Sequence, residues 1–68
     1  MNKIIIEKNN TTRVQIEQSE YHGQIYVDIR LFYLDKQGEY KPTRKGLTLT
    51  IDKWQEIIQE LARELNIN

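Results

Sequence analysis

Sixty-eight residues with no cysteine, a single histidine and a formal net charge of zero exclude a disulfide framework, a thiolate metal site and a simple polycation. A chain this short buries a small share of its surface, so with neither disulfides nor a metal it needs a partner copy for stability. The apolar runs Ile4-Ile5-Ile6 and Leu31-Phe32-Tyr33-Leu34 fall far short of a membrane span, and no basic segment leads into an apolar stretch at the start. The expectation is one soluble domain over residues 1–68, intracellular and with no membrane partner.

In chain order, Ile4-Ile5-Ile6 predicts a short strand, stopped by Asn9-Asn10, a pair that tolerates turn conformations. Arg13 to Gln18 alternates, with Val14 and Ile16 on one face. Tyr21-His22-Gly23 predicts a turn. Gln24 to Leu34 reads as the longest strand, with Ile25, Val27 and Ile29 opposite Gln24, Tyr26, Asp28 and Arg30. Four apolar residues in a row, 31–34, break that alternation. Either both faces are covered there or a bulge shifts the phase. Asp35-Lys36-Gln37-Gly38 predicts a turn and Tyr40 to Leu49 the returning strand, bent at Gly46. Residues 51–66 switch to helical spacing. Trp54, Ile57, Ile58, Leu61, Ala62 and Leu65 form one apolar stripe, with Thr50 as the N-cap. The stripe is wide for so small a sheet, so the helix is expected to pack partly on a second copy of itself.

The charge is segregated. Residues 1–51 hold eight Lys/Arg against six Asp/Glu, and residues 52–68 hold two against four. The densest positive run is the segment Lys41-Pro42-Thr43-Arg44-Lys45-Gly46, read as a basic hairpin. No Gly-rich phosphate loop and no second histidine accompany His22, and the carboxylates of the helix read as a solvated face, so nothing supports an enzyme, a metal or another cofactor. Single-stranded nucleic acid asks for cations spaced for phosphates and aromatic faces for unpaired bases. Tyr21, Tyr26, Phe32, Tyr33 and Tyr40 interleave with Arg13, Arg30, Lys41, Arg44 and Lys45. The same residues also suit cross-strand packing and a solvated edge, so the pattern leaves binding and structural roles open.

From Tyr21 to Trp54 the chain resembles the C-terminal domain of the positive-cofactor-four family of transcriptional coactivators. The resemblance rests on Tyr21-His22-Gly23, Asp28-Ile29-Arg30, Phe32-Tyr33, Asp35-x-x-Gly38-Glu39, Lys41-Pro42-Thr43-Arg44-Lys45-Gly46-Leu47-Thr48-Leu49 and Trp54, in order. It implies an α+β fold, a curved four-stranded antiparallel sheet followed by one C-terminal helix, and a homodimer formed through the helices at Trp54, Ile57, Ile58, Leu61 and Leu65. It also implies sequence-tolerant binding of single-stranded or melted DNA in transcription, replication or repair. Tyr21 and Tyr33 match the family's stacking aromatics, standing where phenylalanine and tryptophan are usual. Arg30, Lys41, Arg44 and Lys45 match its phosphate-contacting cations, and Arg13 and His22 flank them. His22 and Gln24 replace lysines. In this reading the basic segment is one wall of a channel whose other wall is aromatic. The alternatives are RNA as ligand, or an interaction module docking a polymerase or other acidic partner among transcription or replication proteins. A nuclear site is implied for a eukaryotic host, and cytoplasm or nucleoid for a bacterial or viral one.

Overall fold

The computed structural model of the chain describes residues 3–66. Four strands, β1 (Lys3–Glu7), β2 (Thr12–Tyr21), β3 (Gln24–Leu34) and β4 (Tyr40–Thr50), precede one helix, α1 (Ile51–Glu64). They form an antiparallel sheet in the order β1-β2-β3-β4. Short polar turns dictate this meander. His22 and Gly23 both take positive φ, 52° and 76°, as a two-residue hairpin following the sheet's twist requires. At the next turn the Asp35 carboxylate accepts from the backbone N–H of Gln37 and Glu39, both at 2.9 Å.

Cross-strand pairs share a face, so the register sorts the side chains. Ile4, Ile6, Val14, Ile16, Ile25, Val27, Ile29, Leu47 and Leu49 lie on the face that carries α1. Arg13, Gln15, Glu17, Tyr21, Tyr26, Asp28, Arg30 and Phe32 lie on the other. β3 pairs with β2 without interruption from Gln24 to Tyr33. The apolar run 31–34 is therefore divided between the faces, Leu31 and Tyr33 on one and Phe32 and Leu34 on the other. The irregularity lies in β4, where Thr43, Arg44 and Lys45 stand between the Gly46/Arg30 and Pro42/Phe32 pairs, opposite Leu31 alone. The basic segment is thus not a hairpin but a bulged stretch of an edge strand, a place where Pro42 costs the sheet no interior rung.

Helix α1 starts where expected, although Thr50 occupies the cap position without a side-chain cap bond. Its anchor is Trp54, whose indole N–H donates to the Val27 carbonyl at 2.8 Å. Beyond that turn the helix is poorly covered. Ile58, Leu61 and Leu65 are 60%, 54% and 57% exposed. Among the described residues no apolar side chain is buried, and the one buried residue is polar, Gln15. The accessible surface, 5801 Å², is roughly 1,300 Å² above the value expected for a compact monomer of 8.2 kDa. The radius of gyration, 13.9 Å, likewise exceeds the roughly 11 Å of a compact chain of this length.

Candidate nucleic-acid interface

The residues singled out from the sequence fall into three groups. The first lies at the bulge. Tyr33 and Lys41 are direct cross-strand partners on one face, and Arg44 and Lys45 follow within the bulge. Tyr33 is 47% exposed, and Arg44 and Lys45 are exposed with no carboxylate partner among the described residues. Lys41 lies 3.3 Å from Glu39 and 3.9 Å from Asp35. Solvated pairs of this kind contribute little, so a phosphate can displace them.

The second group lies at the other end, on the opposite face. Ser19, Glu20, Tyr21, Tyr26 and Thr48 line an open groove of about 410 Å³. The His22 ring meets Tyr21 edge to face, centroids 4.2 Å apart. Tyr21 and Tyr33 are therefore not neighbours. Tyr33 pairs with Thr12, nine residues from Tyr21 along β2, a separation of about 30 Å. A single aromatic wall running beside the basic segment is not what one protomer presents. The register corrects that expectation, because Tyr21 pairs with Gln24, at the other end of β3 from Tyr33 and on the opposite face. Tyr26 joins Tyr21 instead, and its signal in the sequence was its place on the polar face of the longest strand.

The third group is internal to the sheet. The Arg13 guanidinium lies 3.7 Å from the Tyr40 ring centroid. With the Gln15 amide oxygen turned toward it, Arg13 also donates from Nε and Nη2 at 3.0 Å. Arg30 donates from Nε and Nη2 to Asp28 Oδ2 and Oδ1 at 3.2 and 3.0 Å, and from Nη1 to the Thr43 carbonyl at 2.8 Å. Thr48 Oγ1 donates to the same Asp28 Oδ1 at 2.6 Å. Burial opposes ionisation of Asp28, but hydrogen bonds from Arg30 and Thr48 and the adjacent guanidinium charge outweigh it and hold the carboxyl below the usual carboxylate range. Its pairing with Asp28, against a smaller opposing effect of burial, raises Arg30 above the usual arginine range.

A lowered folded-state value means that Asp28 contributes stability above the unfolded-state value, about pH 4, and loses it as pH falls through the lower folded value. Asp28→Asn should therefore melt below the parent at pH 7, the gap narrowing as pH falls below the unfolded-state value of about 4 and through the lower folded one. A constant gap across that range in calorimetry would contradict the assignment.

Among the described residues no helix is long and apolar enough to cross a membrane, and no group of three or more His, Cys, Asp or Glu could hold a metal ion. Comparison with known proteins then decides the family. The family described as transcriptional coactivator p15 (PC4) matches residues 6–60. The chain belongs to the PC4 family. An RNA polymerase II transcriptional coactivator of Drosophila melanogaster is 39% identical over 51 residues, 75% of this chain and 44% of the fly protein. The Arabidopsis thaliana coactivator KIWI is 39% identical over 49 residues, 72% of this chain and 41% of the plant protein. The chain thus spans less than half the length of these relatives. A PC4 homologue from Burkholderia pseudomallei superposes with a TM-score of 0.78 at 33% identity, covering 93% of this chain and 94% of that one. The bacteriophage T5 homologue of PC4, implicated in recombination-dependent DNA replication, shares the fold with a TM-score of 0.77 at 24% identity, covering 96% of this chain and 76% of its own. These PC4 matches agree with the open four-stranded sheet and terminal helix.

Proposed function

We propose that this PC4-family chain is a homodimeric, sequence-tolerant single-stranded-DNA-binding protein that supports transcription, replication or repair. The observation that carries the reading is the bulge in β4, which sets Arg44 and Lys45, without carboxylate partners among the described residues, beside the cross-strand pair of Tyr33 and Lys41. Cation and aromatic face are within one ladder rung of each other, the combination that grips an unpaired strand by phosphate and base together. Tyr21, Tyr26 and His22 form a second stacking site on the opposite face, and Arg13 adds charge beyond Phe32. The dimer reading is supported by the unburied stripe Ile57, Ile58, Leu61 and Leu65 and by an apolar groove of about 410 Å³ between α1 and the sheet. The roughly 1,300 Å² of excess surface is more than one side of a standard interface removes, about 800 Å². Trp54 serves the dimer indirectly, by fixing the helix from which the stripe projects.

Fluorescence anisotropy with an unstructured oligonucleotide tests the reading. Lys41, Arg44 and Lys45 engaged together give a slope of log affinity against log salt of about −2 per protomer. A matched duplex should bind more weakly, since its bases offer no free faces. Tyr21→Ala should cost about 1 kcal/mol, roughly fivefold, on the single strand and little on the duplex. A flat salt response, or equal loss on both ligands, would overturn the reading.

A further inference from the structure

We propose that Arg30 is a positioning residue for the basic bulge rather than a phosphate ligand, its guanidinium clasping the bulge so that Arg44 and Lys45 stay exposed. The proposal rests on the single-stranded-DNA reading and assigns a distinct task within it. All three guanidinium nitrogens already donate, two to the Asp28 carboxylate and one to the Thr43 carbonyl. A bulge leaves backbone groups without ladder partners, and these must be satisfied elsewhere. Here Arg30 takes the Thr43 carbonyl. Thr43 Oγ1 accepts from the Lys45 backbone N–H at 3.1 Å and donates to the Leu31 carbonyl at 2.9 Å. One arginine and one threonine thereby replace the missing rungs.

The geometry around Arg30 fits the task. Its side chain crosses β4 at Gly46, where a Cβ would sit 2.8 Å from Arg30 Cβ, Cγ and Cζ. Only glycine leaves room for the guanidinium to reach from Asp28 to Thr43. Thr48 fixes the Asp28 carboxylate from beyond the bulge, so the network ties the irregular stretch at Thr43 to the regular strand at Thr48. A phosphate approaching Arg30 would compete with a carboxylate already bound by both arms of the fork.

Lysine retains the charge but not the fork, so Arg30→Lys separates the two roles. The clasp predicts that R30K loses about fivefold in oligonucleotide affinity at 0.1 M salt, with the salt slope shallower by about 0.7 or more. It also predicts that R30K costs nothing further in an Arg44→Ala/Lys45→Ala background, because it acts through those two residues. A phosphate ligand predicts the reverse: R30K near the parent, and Arg30→Ala losing about fivefold in both backgrounds. That second pattern would overturn the proposal. Amide exchange gives a reading independent of DNA. R30K should expose the Lys45 N–H at least about tenfold faster, and unchanged protection overturns the clasp even if no oligonucleotide binds the parent. Should R30K fail to fold, Asp28→Asn decides: weaker binding supports the clasp, and tighter binding, from a released Arg30 gripping phosphate, overturns it.

Discussion

Replacing Arg44 and Lys45 together with alanine should weaken binding to an unstructured oligonucleotide about 25-fold at 0.1 M salt and flatten the salt slope by about 1.4. Each phosphate contact on a single strand contributes about 0.7 to that slope, and two contacts therefore compound to this factor. These two cations carry the largest expected effect because neither has a carboxylate partner among the described residues to give up. Lys41→Ala should cost less, since Asp35 and Glu39 already offset its charge. The loss should fall equally on homopolymers of different base, because phosphate contacts carry no sequence information. If the double change left affinity and slope at the parent values, the bulge would not be the DNA-binding element.

Most of the fold was legible in the sequence because two periodicities separate cleanly. Alternation from Gln24 to Ile29 and the stripe from Trp54 to Leu65 fixed a strand and a helix, and His22-Gly23 and Asp35 to Gly38 marked the turns. The strand from Tyr40 to Leu49 that holds the basic segment was legible, after the turn at Asp35 to Gly38, but the bulge within it was not. Local sequence cannot show that three residues stand opposite one, because the count is a property of two strands together. The facing of the tyrosines was hidden for a related reason. The unbroken β2–β3 register puts Tyr33 out of phase with Tyr26, although the apolar run around it masks the alternation. The commitment of Arg30 to Asp28 did leave a trace: residues two apart on a strand share a face, where opposite charges meet.

The remaining large effect concerns the dimer. On the proposed dimer, the parent should sediment at twice its 8.2 kDa chain mass and Leu61→Glu as monomers or unfolded chains in analytical ultracentrifugation. Leu61 is 54% exposed in the single chain and lies at the rim of the groove formed with Ile16, Val27 and Ile29. A two-fold interface presents each substitution twice, so one carboxylate change buries two unpaired charges. At about 3 kcal/mol each, the cost of about 6 kcal/mol raises the dissociation constant about 10⁴-fold. Leu61→Ala removes area without adding charge and should weaken the dimer far less. The monomer has little to fall back on, because no apolar side chain among the described residues is buried without a partner. Loss of helical and sheet circular dichroism should therefore accompany dissociation, and DNA binding should fall with it. Folded dimers of Leu61→Glu would place the interface elsewhere than the helix stripe.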